Sequence, residues 1–164
     1  VTGLSIRPAT AADADRTWSI LEPVLRAGDT YAVDPGLSRD AALAWWLGAP
    51  HRTYLAEDAD GTVLGTYYLM PNQGGGGAHV ANAGFVTAPA ARGRGVARAM
   101  LEHALETARA TGYRAMQFNF VVETNSRAIA IWADYGFDVV GRLPGAFRHP
   151  DRGYVDALVM YRHL

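Results

Sequence analysis

Hydrophobic and polar positions along the 164-residue chain switch several times between short alternating runs and helical spacing. Leu4 to Arg7 alternates briefly and stops at Pro8, which predicts a short first strand. Thr10-Ala-Ala-Asp13 caps a helix carrying Trp18, Leu21, Val24 and Leu25, with Pro23 inside it where it kinks or divides the helix. Ser38-Arg-Asp-Ala starts a second helix with Leu43, Trp46 and Leu47 on one side. Arg52 to Glu57 and Val63 to Met70 read as strands joined by the hairpin signal Asp58-Ala-Asp-Gly61. Four glycines, Gly74 to Gly77, form the loop to a strand running from Val80 through Val86. Val96, Met100, Ala104 and Ala108 then recur at i+4, with Ala97, Leu101 and Leu105 beside them, as one apolar stripe. Arg94, Arg98, Glu102, Glu106 and Arg109 take the wet face, His103 is solvated there, and Gly112 is the stop.

Ala115 to Val122 is the next strand. Thr124-Asn125-Ser126 caps a helix whose Ala128, Ile131, Trp132 and Tyr135 keep i, i+3, i+4, i+7 spacing, and Gly136 ends it. Phe137 to Gly141 and Gly153 to Tyr161 are the last strands, separated by a Pro144–Arg152 connection. The order is strand, two helices, three strands, helix, strand, helix, two strands, a mixed α/β layout. Neither an internal repeat nor a linker divides it, so residues 1–164 are expected to form one domain.

A formal net charge of −1 and a pI near 6.6 give no general pull toward nucleic acid or membrane. The chain has no cysteine, which excludes disulfides, zinc-thiolate sites and a thiol nucleophile. Its longest apolar runs fall far short of a membrane span and the N-terminus lacks a signal-peptide core, so a cytoplasmic location is the default expectation. The histidines are His51, His79, His103, His149 and His163. None forms an i, i+4 metal-type pair and no carboxylate cluster accompanies them, so no metal is expected. His79 is either a base or an edge-strand histidine; Phe147-Arg-His149 lies in the connection before the last strand, where it could border an acceptor pocket. No motif supports a Ser–His–Asp triad with Asp156.

Candidate chemistry concentrates between Gly84 and Gly112. Phe85-Val86-Thr87 ends a strand, Pro89 stops its pairing, and Arg92-Gly93-Arg94-Gly95-Val96-Ala97 turns into the helix. Unpaired N–H groups and the helix dipole make such a junction an anion site, and the two glycines let a ligand approach the backbone. The same glycines also suit a tight turn that binds nothing. A Walker loop needs Gly-Lys followed by Ser or Thr, and this turn has no lysine. The dinucleotide fingerprint fails too: Arg98 stands where its third Gly or Ala belongs, and no acidic residue follows at about 20 positions. The turn does match Arg/Gln-x-x-Gly-x-Gly/Ala after a strand ending Val-x-x-Pro. It thereby resembles the coenzyme A pyrophosphate loop of the GCN5-related N-acetyltransferases (GNAT). Asn125-x-x-Ala128-x-x-x-Trp132-x-x-x-Gly136-Phe137 is similar to the family's second signature, Asn-x-x-Ala-x-x-x-Tyr-x-x-x-Gly-Phe.

The resemblance implies the GNAT fold, a mostly antiparallel central sheet splayed at the cofactor with helices on both faces. It implies an N-acetyltransferase moving an acetyl group from acetyl-CoA to a small amine, such as an amino acid, an amino-acid analogue or a toxin, in a ternary complex. Backbone groups near Phe85, Val86 and Thr87 would hold pantetheine as an added strand. The amides from Arg94 to Arg98, with Gly95, Val96 and Ala97 between them, would take the pyrophosphate beside Gly93. Arg92 and Arg94 would add charge. Asn125, Ala128 and Trp132 belong to the helix flanking the pantetheine arm. Glu22, Thr30, Tyr31 and Trp46 are acceptor-site candidates by the same analogy, and equally read as core aromatics and solvated polar groups.

Two positions depart from the family pattern. Asn82 stands where many members carry a Glu, and an amide is no base. Trp132 stands at the general-acid Tyr position, and an indole N–H donates a hydrogen bond but delivers no proton. Tyr135, three residues on, is expected to pack. Asn119 is the polar residue singled out within Phe-Asn-Phe; strand alternation puts it on one face with Gln117 and Val121, opposite Phe118, Phe120 and Val122. It reads either as a residue serving the acceptor or thioester carbonyl, or as a core amide bonding neighbouring backbone. The segment Phe118 to Asn125 also resembles a branch that includes fungal acetyltransferases acting on proline analogues. The rival functions are a silent acyl-CoA sensor, use of another acyl-CoA, and a protein amine as acceptor. Homodimerisation, common in the family, is neither supported nor opposed by composition.

Overall fold

The computed structural model describes residues 3–164. Its strands are β1 (Ser5–Pro8), β2 (Arg52–Glu57), β3 (Val63–Pro71), β4 (Val80–Thr87), β5 (Ala115–Val122), β6 (Asp138–His149) and β7 (Gly153–His163). Its helices are α1 (Ala14–Ala27), α2 (Arg39–Leu47), α3 (Val96–Ala110) and α4 (Ser126–Asp134), with short 3₁₀ turns before α1, β4 and α3. The seven strands form one sheet in the order β1-β2-β3-β4-β5-β7-β6. Every pairing is antiparallel except β4 with β5.

Strand alternation separates two cores. Tyr67 joins Met100, Leu101 and Ala104 of α3 on one face, whereas neighbouring Tyr68 and Val86 join Leu21, Leu25 and Trp46 from α1 and α2 on the other. Helix α3 lies close to β3 at Gly65, where an added Cβ would meet Met100 and Val96 within 3.0 Å. The N-terminal edge is tied by ions: Asp13 receives Arg7, Arg16 and Thr10, and Glu57 receives both arginines.

Helix α1 continues through Pro23 without division. His103 is half-buried rather than solvated: its Nδ1 lies 2.6 Å from the Tyr67 hydroxyl and its ring meets Tyr54 edge-on. That burial lowers its pKa. Residues expected in the Pro144–Arg152 connection instead extend β6 to His149, and β6 absorbs Pro144-Gly145-Ala146 as an irregularity between Leu143 and Phe147. Phe147, Arg148 and His149 are therefore strand residues. Strand β5 also breaks register between Phe118 and Val121, where one extra residue lies opposite β7. This bulge overturns simple alternation there. Phe118 and Val121 both enter the core, and Asn119 is exposed.

Candidate active site

Strands β4 and β5 pair only at Val80–Ala115 and Ala81–Met116, then diverge. The Asn82 side chain donates to the Gln117 carbonyl at 2.9 Å, one last bridge beyond the ladder. Ala88 donates to Leu64 and Asn72 to Val80, both at 2.8 Å, so even-numbered residues of β4 bond β3. The odd ones, Ala83, Phe85 and Thr87, turn their backbone groups to the gap. Val86 is excluded: its backbone pairs with Thr66 and its side chain is buried in the α1–α2 core.

At the wide end of the gap lies the turn into α3. Gly93 and Gly95 both hold φ of +80°, the left-handed region that glycine enters at little cost. Among the described residues, the amides of Gly95, Val96, Ala97 and Arg98 have no acceptor, the usual state of a first helical turn. Arg94 differs from the expectation: its amide donates to Ala91 at 3.2 Å, and it does not line the adjacent cavity of about 520 Å³. Arg92 and Arg127 border that cavity, while the Arg98 guanidinium is held by Asp134 at 2.6 Å.

The narrow part of the gap opens into a second cavity of about 300 Å³. The structure brings Thr30, Tyr31, Asn82, Phe85, Asn119, Asn125, Ala128 and Trp132 together on its walls. Two acceptor candidates are not there. Glu22 lies on the outer face of α1 near Arg26, and Trp46 is fully buried with its Nε1 donating to Thr66. The adjacent Trp45 lines the cavity instead. Asn125 caps α4, its side-chain oxygen accepting from Ala128 at 3.3 Å, which leaves its amide donors for the cavity. Asn119 is held at both ends, donating to Asn72 at 2.6 Å and accepting from Gln117 at 2.8 Å. Trp132 packs on Phe118 and Phe85 with ring centroids 5.0 and 5.2 Å away. Tyr135 turns away to Glu102 and Arg98.

Charge is missing from this second cavity. Among the described residues its walls carry no carboxylate, imidazole or cationic side chain; the titratable groups are the phenols of Tyr31 and Tyr68. Burial raises both, and for Tyr31 the neighbouring Tyr68 adds to the effect. The Tyr31 hydroxyl donates to the Phe85 carbonyl at 2.9 Å. Sequence reading missed Tyr68. The signal available was Gly84, a glycine inside a strand, which marks a close approach by a neighbour. No group of three or more His, Cys, Asp or Glu that could hold a metal occurs among the described residues. No helix there is long and apolar enough to cross a membrane.

Comparison with known proteins agrees with this geometry. Residues 18–137 match the family model described as the acetyltransferase (GNAT) family. A GCN5-related N-acetyltransferase from Kribbella flavida has 46% sequence identity, with a TM-score of 0.94 over 99% of this chain and 98% of that one. The N-acetyltransferase aca1 of Schizosaccharomyces pombe is 28% identical over 156 residues, covering 85% of this chain and 75% of that protein. At 23% identity and a TM-score of 0.84, the fold is also shared with a phosphinothricin acetyltransferase from Sinorhizobium meliloti solved in complex with AcCoA, over 99% and 89% of the two chains. With a family match over most of its length and a near relative aligned end to end, the chain belongs to the GNAT family of acetyltransferases.

Proposed function

We propose that the protein transfers an acetyl group from acetyl-CoA to the amine of a small molecule of about amino-acid size. One observation carries this reading: a single gap runs from the open amides of Gly95–Arg98 to an uncharged cavity of about 300 Å³. The diphosphate of the donor suits the first helical turn, where four amides and the helix dipole favour an anion. Pantetheine suits the odd-numbered backbone groups of β4, which lack a strand partner across the gap. The S. meliloti relative, solved with AcCoA, supports the choice of donor. The second cavity lies at the small end of the range for ligand sites, which favours a small acceptor over a protein tail.

Acetyl-CoA supplies the activated acyl group as a thioester. The chain's own contribution is placement and exclusion of water rather than proton transfer. Asn82 and Asn119 are amides and take no proton at neutral pH, so they orient the acceptor or its hydration. With no base on the cavity walls, the acceptor enters as the free amine. An acceptor carboxylate, where present, would be met by amide donors rather than a guanidinium.

Thiol release from acetyl-CoA, followed across amino acids, cyclic imino acids, polyamines and weakly basic amines, tests the reading. Acceptor-dependent release is the expected result. Tight acetyl-CoA binding with no release on the whole panel would instead support the second reading, a silent acyl-CoA-binding module, which the absence of a base and of an O–H group at Trp132 favours.

A further inference from the structure

Tyr68 is paired with Gly84 across β3 and β4, and its side chain does not stand upright on the sheet. A Cβ added to Gly84 would lie 2.5 Å from Tyr68 Cε1, 2.8 Å from Cζ and 2.9 Å from the hydroxyl oxygen. The far end of the phenol therefore rests on the Gly84 backbone. Neighbouring strands are about 4.8 Å apart, so the ring spans from β3 to β4 and its hydroxyl arrives at the strand that borders the gap. Glycine at 84 is what leaves room for it.

The ring is held in that pose from two sides. His51 stacks on it at 3.9 Å with planes 9° apart, and Trp46 meets it edge-on at 5.0 Å. Tyr68 is only 9% exposed, yet it lines the cavity, and among the described residues no side chain or backbone group hydrogen-bonds its hydroxyl. A ring fixed in this way, with an O–H that reaches the cavity and is bound to no protein acceptor, is free to donate to a ligand there. The other phenol on the wall, Tyr31, is already committed to Phe85.

Resting on the acetyl-transfer reading, we infer that Tyr68 is a catalytic residue whose hydroxyl donates a hydrogen bond to the acyl carbonyl oxygen as charge develops there. Burial pushes the phenol above its ordinary pKa, so it stays protonated and able to donate at neutral pH. The nitrogen lone pair forms the new C–N bond while the carbonyl π pair moves onto oxygen, facing the Tyr68 O–H. That pair returns as the C–S bond breaks with its electrons on sulfur. The nitrogen's proton goes to solvent, solvent protonates the thiolate, and Tyr68 keeps its own proton throughout. A donor fixed beforehand in a cavity without competing charges needs no reorganisation at the moment of reaction.

Tyr68→Phe retains the ring against His51, Trp46 and Gly84 and removes only the hydroxyl. Its kcat is expected to fall about a hundredfold, with KM for donor and acceptor unchanged. Independently of turnover, the infrared carbonyl band of bound acetyl-CoA is expected at lower frequency in the wild-type protein than in Tyr68→Phe. A kcat within about threefold of wild type, or a carbonyl band at the same position in both, overturns the inference. If the wild-type protein binds acetyl-CoA but acetylates nothing, the acetyl-transfer reading fails, and the carbonyl band still decides the hydrogen bond. Should Tyr68→Phe not fold, a fluorinated, more acidic tyrosine placed at 68 is expected to lower the band further, and an unmoved band is the contrary result.

Discussion

The ion cluster beside β1 gives a prediction whose size follows from its geometry. Asp13 is 4% exposed and accepts from Arg7 at 2.8 and 2.9 Å, from the Thr10 amide and hydroxyl at 2.8 and 3.1 Å, and from Arg16 at 3.2 Å. Asp13→Asn keeps the shape but turns an NH₂ group toward donors and removes the charge. Breaking a fully buried ion pair costs about 3–5 kcal/mol. Here the Arg7 and Arg16 side chains are 34% and 40% exposed and keep Glu57, so solvent screening reduces the expected loss to about 2–3 kcal/mol. For a chain of this length that is a fall in melting temperature of roughly 5–10 °C. The Arg7 guanidinium holds the Asp13 carboxyl far below the usual carboxylate range. A depressed folded-state pKa contributes stability above the unfolded value, about 3.9, and loses it as pH falls toward the folded value. The difference between wild type and Asp13→Asn, measured by thermal and urea unfolding, is therefore constant near neutrality and narrows below about pH 4. A melting temperature within about 1 °C of wild type at pH 7 would refute the reasoning, as would a gap that widens on acidification.

Three further predictions concern the gap. Gly93→Ala adds a Cβ that meets nothing within 4 Å in the free protein but must hold φ of +80°. It should cost about 1–2 kcal/mol of stability while weakening acetyl-CoA binding at least about tenfold in calorimetric titration; unchanged affinity would place the donor elsewhere. With no base on the cavity walls, kcat/KM should follow the free-amine fraction of each acceptor, so two acceptors of different basicity give rising limbs at their own pKa values. A common limb shared by both would reveal an enzyme base. Asn119→Ala should raise acceptor KM or lower kcat about tenfold without changing acetyl-CoA affinity, and unchanged turnover would remove Asn119 from the site.

Element order was legible where an element keeps one period, as in the Val96, Met100, Ala104, Ala108 stripe, whose residues are all buried in α3. The loop into α3 was legible because positive φ at Gly93 and Gly95 demands glycine. Features set by tertiary contact were not. Alternation carries no mark of the extra residue in β5, so Val121 was placed on the face of Gln117 and Asn119, although it enters the core with Phe118. Helical spacing set Trp46 beside Leu43 on the apolar side of α2, where both are buried; the family analogy that offered Trp46 to the acceptor carried no signal for adjacent Trp45, which lines the cavity. Pro144 and Gly145 read as a turn, yet β7 pairs on both sides of them, and the long β6 ladder outweighs the local preference. Tyr68 reads as one more aromatic in a strand, and only the pairing of β3 with β4 sets Gly84 beneath its ring.

The central claim, that the gap between β4 and β5 seats an acyl-CoA, is tested most directly by a crystal structure of the protein grown with acetyl-CoA. The account predicts the diphosphate within hydrogen-bond distance of the amides of Gly95–Arg98, and the acetyl group beside Gly84 and Phe85 in the uncharged cavity. A donor bound in the separate cavity between Pro8 and Tyr54, or a diphosphate away from the turn into α3, would contradict it.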